Sequence, residues 1–147
     1  MPLIVWRDKL SIGVPEIDRD HQQLIKYLND FYDAAQEGHA HKAVARTLIR
    51  LMEYTRDHFA REEKVMAAVE YPHIEAHKKA HRELTQQVKV VAARFAQNPN
   101  GSIDEEVFDF LRSWLTDHII GMDRDIAEHT RNKRPWVDDK NIFAGVG

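Results

Sequence analysis

Residues 44–69, VARTLIRLMEYTRDHFAREEKVMAAV, decide the fold. Read in steps of four and three, Val44, Leu48, Leu51, Thr55, His58, Glu62, Val65 and Val69 share one face of a helix. The face is apolar at its ends and carries an imidazole and a carboxylate in its middle. A second stripe runs Ile74, His77, His81, Leu84, Val88, Val91, Phe95, and a third runs Val107, Leu111, Trp114, His118. Burying such groups is costly unless each is paired or coordinates a metal. Their recurrence on inward faces points to a metal site inside a helical bundle.

Composition narrows the chemistry. The chain has 147 residues, enough for one domain with a proper core. Its formal net charge is -3, so no global field recruits nucleic acid. Cysteine is absent, which removes disulfides, thiolate zinc sites and iron–sulfur clusters together. The strong ligands left are nitrogen and oxygen, from nine histidines and the carboxylates. No apolar run approaches the roughly 20 residues of a membrane span, so no membrane insertion is expected. Residues 1–8 lack the pattern of a signal peptide, and the cytoplasm is the expected compartment.

The punctuation sets the topology. Residues 1–17, with two prolines and a glycine, read as an extended N-terminal arm whose Leu3, Ile4, Val5 and Trp6 lie across a helix pair. Asp18 is the expected N-cap of a first helix ending at Gly38, with the stripe His21, Leu24, Leu28, Phe31, Ala35. A second helix spans about 40–69 and is broken at Tyr71-Pro72; Pro72 suits the first position of a third, about 72–96. Asn98-Pro99-Asn100-Gly101 is a turn, and Ser102 to Glu105 has capping-box spacing for a fourth helix over about 103–130. These elements predict an all-α, antiparallel up-down-up-down four-helix bundle over residues 1–130, with a C-terminal tail at 131–147. The tail's Trp136, Ile142 and Phe143 suggest packing on the bundle or on another copy, and Arg131, Lys133 and Arg134 read as a solvated helix end.

His58 and Glu62 are four apart, as are His77 and His81, so each pair projects from one face one turn apart. His21 and His118 occupy inward positions on the remaining two helices. A lone core histidine is usually a packing residue, but five histidines and a glutamate on the inward faces of four helices form a candidate ligand set. Asp123, five residues after His118, lies about 140° away on an ideal helix. It joins the set only by reaching around or through a local distortion near Gly121. His39, His41, His73 and His129 fall in turns or at helix ends and read as solvated.

The ordered set His21, His58-Phe-Ala-Arg-Glu62, His77-Lys-Lys-Ala-His81 and His118-Ile-Ile-Gly-Met-Asp123 resembles the hemerythrins, specifically the single-domain bacterial ones. The resemblance covers roughly residues 4–125 and includes Trp6 and Gly13-Val14-Pro15-Glu16-Ile17-Asp18. It implies that His77, His81 and His118 bind one iron, that His21 and His58 bind the other, and that Glu62 and Asp123 bridge them. The implied cofactor is a pair of iron ions (Fe2+/Fe3+) with an oxo or hydroxo bridge. The chain departs from the pattern by continuing past the usual end of the fourth helix.

Two octahedral irons offer about twelve positions, and the implied ligands with the solvent-derived bridge leave one open, on the iron with two histidines. An open position on a redox-active pair suits O2 as a reversible ligand. Leu24, Phe59, Trp114, Leu115 and Ile119 lie within a helical turn of His21, His58 or His118 and resemble the family's apolar O2 pocket. No Glu-x-x-His pair accompanies the ligands, unlike carboxylate-rich di-iron oxygenases, and His77-Lys-Lys-Ala-His81 lacks the glutamate of a zinc protease. The expected function is O2 storage, transport or delivery, without enzymatic turnover, and with a protein partner receiving the O2. Oxygen or redox sensing, and a di-iron enzyme such as a peroxide or nitric oxide reductase, remain open alternatives.

Overall fold

The computed structural model describes residues 2–97 and 105–133. Among them are a 3-10 turn, Asp8–Leu10, and helices α1 (Pro15–Gln36), α2 (His41–Ala68), α3 (Ile74–Gln97), α4 (Glu105–Ser113) and α5 (Gly121–Lys133). A π-helical segment, Trp114–Ile120, joins α4 to α5, so the last two helices form one rod. The four helical rods are the predicted bundle, and no strand occurs among the described residues. The turn at 98–101, the proposed start of the fourth helix at 103, and the tail from 134 onward lie outside the described residues.

The stripes read from the sequence are the buried faces. Leu24, Leu28, Phe31, Leu48, Leu51, Phe108, Leu111 and Trp114 fill the centre. Thr55, the polar interruption in the α2 stripe, is buried with its hydroxyl donating to the Leu51 carbonyl at 2.7 Å, one turn back. Trp114 donates its indole N–H to the Leu84 carbonyl at 3.0 Å, tying the fourth rod to α3.

Helix ends follow backbone chemistry more than side-chain caps. α1 starts at Pro15, a residue preset for a first helical turn, and not at Asp18. Asp18 instead faces back along the chain, accepting from the Ser11 hydroxyl and, at 2.9 Å, from the Ile12 amide. It fastens the arm. Farther out, Asn29 grips both backbone groups of Ile4, at 2.9 and 2.8 Å. α1 closes as expected at Gly38 (φ 71°): the amides of Gly38 and His39 donate to the carbonyls of Ala35 and Ala34. α2 closes with the same pattern around Glu70 (φ 54°), a left-handed conformation unusual for a residue with a Cβ. α3 begins at Ile74, so Pro72 lies in the connection and not at the first helical position.

The π segment is the departure that matters for the site. Along it burial falls at Trp114 and Leu115, then at Ile119 and Ile120, then at Asp123. Each residue of the first pair recurs five positions later, where an α-helix would recur after three or four. The Thr116 hydroxyl donates to the Arg112 carbonyl at 2.8 Å, competing for the acceptor of a regular turn. Asp123, just beyond the segment, is buried, while His118 within it is exposed.

Candidate metal centre

Six of the seven expected ligand residues converge. His21 comes from α1, His58 and Glu62 from α2, His77 and His81 from α3, and Asp123 from α5. All six are buried, none more than 6% exposed. His118 is exposed in this structure and lies in neither ligand group. Its place in the third stripe assumed an unbroken α-helical repeat, which ends at Ser113. The anticipated distortion exists, but it lies upstream of Gly121.

Two ligand groups form: His21, His58, Glu62 and Asp123 in one, and Glu62, His77 and His81 in the other, each with its donor atoms within 4.8 Å of one another. Glu62 belongs to both. One of its oxygens, Oε1, faces His81 Nε2 at 3.0 Å and His77 Nε2 at 3.5 Å, while Oε2 lies 3.4 Å from His58 Nε2. Asp123 spans the same gap: Oδ2 is 2.6 Å from His21 Nε2 and 3.0 Å from His58 Nε2, and Oδ1 is 3.6 Å from His77 Nε2. Each carboxylate thus offers one oxygen to each histidine pair.

The side chains do not satisfy one another. His21 Nδ1, Glu62 Oε2, His77 Nε2 and Asp123 Oδ1 are buried without a hydrogen-bond partner. An orphaned buried polar atom costs about 1–3 kcal/mol. Three of them, Glu62 Oε2, His77 Nε2 and Asp123 Oδ1, belong to the facing donor atoms of the cluster and fit ions that use those lone pairs. The titrations show the same crowding. Burial and the Asp123 charge push the Glu62 carboxyl well above its usual range. Burial would raise Asp123 as well, but the neighbouring Glu62, His21, His58 and His77 side chains outweigh it and hold Asp123 well below. Burial disfavours charge on His58, yet Glu62, Asp123 and Asp20 hold its pKa up at about 10. His81 goes the other way: burial drives it down to about 4, with the Glu63 hydrogen bond opposing and the neighbouring His77 imidazole adding to the depression.

The profile of the hemerythrin HHE cation binding domain matches residues 12–129. The chain belongs to the hemerythrin family. It is 34% identical over 131 residues to a bacteriohemerythrin of Stenotrophomonas maltophilia, covering 89% of this chain and 84% of the relative. It is 33% identical over 142 residues to a bacteriohemerythrin of Pseudomonas aeruginosa, covering 96% and 91%. A hemerythrin variant of known crystal structure superposes with a TM-score of 0.77 at 24% identity, over 88% of this chain and 98% of that one, a likeness of fold. A hemerythrin domain implies di-iron binding, and the converging histidines and carboxylates suit it. No helix among the described residues is long and apolar enough to cross a membrane.

Two carboxylates that the stripes did not reveal stand behind the ligands. Asp20 accepts from His58 Nδ1 at 2.9 Å, and Glu63 from His81 Nδ1 at 2.9 Å. A signal for the first existed: Tyr54, His58 and Arg61 lie four and three apart on α2, a polar row beside the apolar one. Two histidines read as solvated are packed instead. His41 stacks on Phe95 with ring centroids 4.2 Å apart, and His129 Nε2 lies 3.1 Å from the Val69 carbonyl. His39 and His73 are exposed, as expected.

Proposed function

We propose that the cluster holds two iron ions and that the protein binds O2 reversibly, for storage, transport or delivery. The observation that carries this is the shared pair of carboxylates: Glu62 and Asp123 each turn one oxygen toward the His21–His58 side and one toward the His77–His81 side. His21 and His58 would hold one ion, His77 and His81 the other, with Glu62 and Asp123 spanning them. A bound ferrous pair supplies the electrons on which O2 coordination draws.

The chain's own part is to orient and to exclude water. Nitrogen donors dominate, four imidazoles against two carboxylates in the converged set, which favours binding over substrate oxidation. Leu24, Trp114, Leu115 and Ile119 are fully buried and Phe59 nearly so, all in one apolar cluster. Phe59 stacks on His81 with centroids 4.0 Å apart and rings 13° from parallel, a contact that supports reading this cluster as the wall of the site. We assign these five residues to the O2 pocket, where an apolar wall admits a small apolar gas and slows water and proton access. A visible absorption band that appears on aeration and vanishes on anaerobic equilibration, through repeated cycles, tests the proposal. Protein carrying only zinc, with no oxygen-dependent band, would contradict it.

A further inference from the structure

The two histidine pairs are anchored very differently from behind. Asp20, which immediately precedes His21, is held on three sides besides His58. Tyr54 donates its hydroxyl to Asp20 Oδ1 at 2.6 Å, and Arg61 donates Nη2 to Oδ1 at 2.9 Å and Nε to Oδ2 at 3.1 Å. The Arg61 guanidinium also lies over the Tyr54 ring, 5.1 Å from its centroid. With both oxygens engaged by donors, Asp20 has only accepting capacity left for His58 Nδ1. The imidazole must present an N–H there, and its Nε2 is turned inward, to within 3.0 Å of Asp123. On the other side, Glu63 stands behind His81 with a side chain 35% exposed. His21 Nδ1 has no partner at all.

We propose that Asp20, clamped by Arg61 and Tyr54, is a positioning residue that presets His58 for metal and so sets the affinity of the His21–His58 position specifically. A carboxylate behind a ligating histidine fixes its tautomer and ring orientation, and losing one typically costs about 10–100-fold in metal affinity. Here the carboxylate is itself immobilised, so the orientation is fixed before any ion arrives. This rests on the two-ion reading above.

The test titrates Co2+ anaerobically into the metal-stripped full-length chain and into Asp20→Asn, Tyr54→Phe and Glu63→Gln, following stoichiometry and affinity optically. The His58 ring nitrogens are read by NMR. Wild type should take up two ions. Asp20→Asn should still bind both, one of them about 10–100-fold more weakly, with the His58 Nδ1 resonance shifted. Tyr54→Phe, which keeps the Asp20–His58 bond, should show a smaller loss at the same ion, and Glu63→Gln should weaken the other. A wild type that binds no ion or one overturns the two-ion reading. A wild type that binds two, with unchanged affinities and an unchanged His58 resonance in Asp20→Asn, overturns the role of Asp20 alone. Should Asp20→Asn not fold, Tyr54→Phe and Arg61→Lys carry the same comparison, and no loss at either ion in both would equally overturn it.

Discussion

The ligand-bearing faces of α2 and α3 and that of the fourth rod do the same job by different backbone geometry. On α2 and α3, regular helix places His58 under Glu62 and His77 under His81, and all eight positions of the α2 stripe and the central four of the α3 stripe are buried. On the fourth rod, a π segment breaks the repeat, with His118 exposed within it and Asp123 buried just beyond it. Spacing arguments hold where the backbone repeat is constant. Where a π segment interrupts the helix, an α-helical count no longer tells which side chain faces inward.

The largest expected effect removes the metal from both faces at once. Ligand present at about 1,000 times Kd stabilises a fold by about 4 kcal/mol, or roughly 8–16 °C in melting temperature for a chain of this size. Chelated protein should melt lower by about that much, because Glu62, Asp123 and His77 regain orphaned atoms. Equal melting curves by calorimetry, with and without chelator, would show that the cluster is satisfied without ions.

Leu115→Ala probes the π segment itself. Leu115 is fully buried there, and truncating such a leucine costs about 2–5 kcal/mol. The variant should also oxidise faster in air and take up azide faster, with iron content kept. Stopped-flow azide binding at wild-type rates, in folded and metal-loaded protein, would remove Leu115 from the pocket.

Acid separates the clamped side from the rest. The Asp20 pKa, raised by burial but pulled down further by hydrogen bonds from His58, Tyr54 and Arg61, lies at about 2, below the ordinary 3.8. A depressed carboxylate stabilises the fold above its unfolded pKa, and that stability is lost as pH falls through the folded value. The metal-stripped chain should therefore lose about 2 kcal/mol between about pH 4 and pH 2 from this group alone. Denaturation midpoints of Asp20→Asn over that range should fall less steeply than those of wild type.

The comparison between the faces is sharpest at His77 and His118. His77→Ala should lower metal content sharply. As the fourth rod stands, His118→Ala should leave metal content and melting temperature close to wild type. Loss of one ion in His118→Ala, by elemental analysis, would mean that the π segment changes register on loading. Smallest of all, Glu70→Gly relieves a left-handed residue at the end of α2 and should stabilise by no more than about 1 kcal/mol.

The bundle was legible because four amphipathic stripes, the Gly38 terminus and the break at Tyr71-Pro72 each follow from local rules. The stripes also put His21, His58, Glu62, His77 and His81 on inward faces, where they are buried, while Asp123 came only through the family resemblance. The rest depended on competition between partners at a distance. Asp18 looks like a cap, but the arm's Ser11 and Ile12 claim its carboxylate, and Pro15 starts the helix without it. His118 looks inward on an α-helical count, but the backbone repeat changes at Trp114. Asp20 carried no apolar pattern of its own; its role appears only when Tyr54, His58 and Arg61 arrive from another helix.

The central claim is that Glu62 and Asp123 are shared by two ions. Anaerobic Fe2+ titration of the metal-stripped chain, followed by magnetic measurement of the loaded protein, tests it most directly. The account predicts about two equivalents whose spins are coupled, and loss of that coupling in Asp123→Asn before loss of all metal. Saturation at one equivalent, or two ions that behave as magnetically isolated centres, would contradict it.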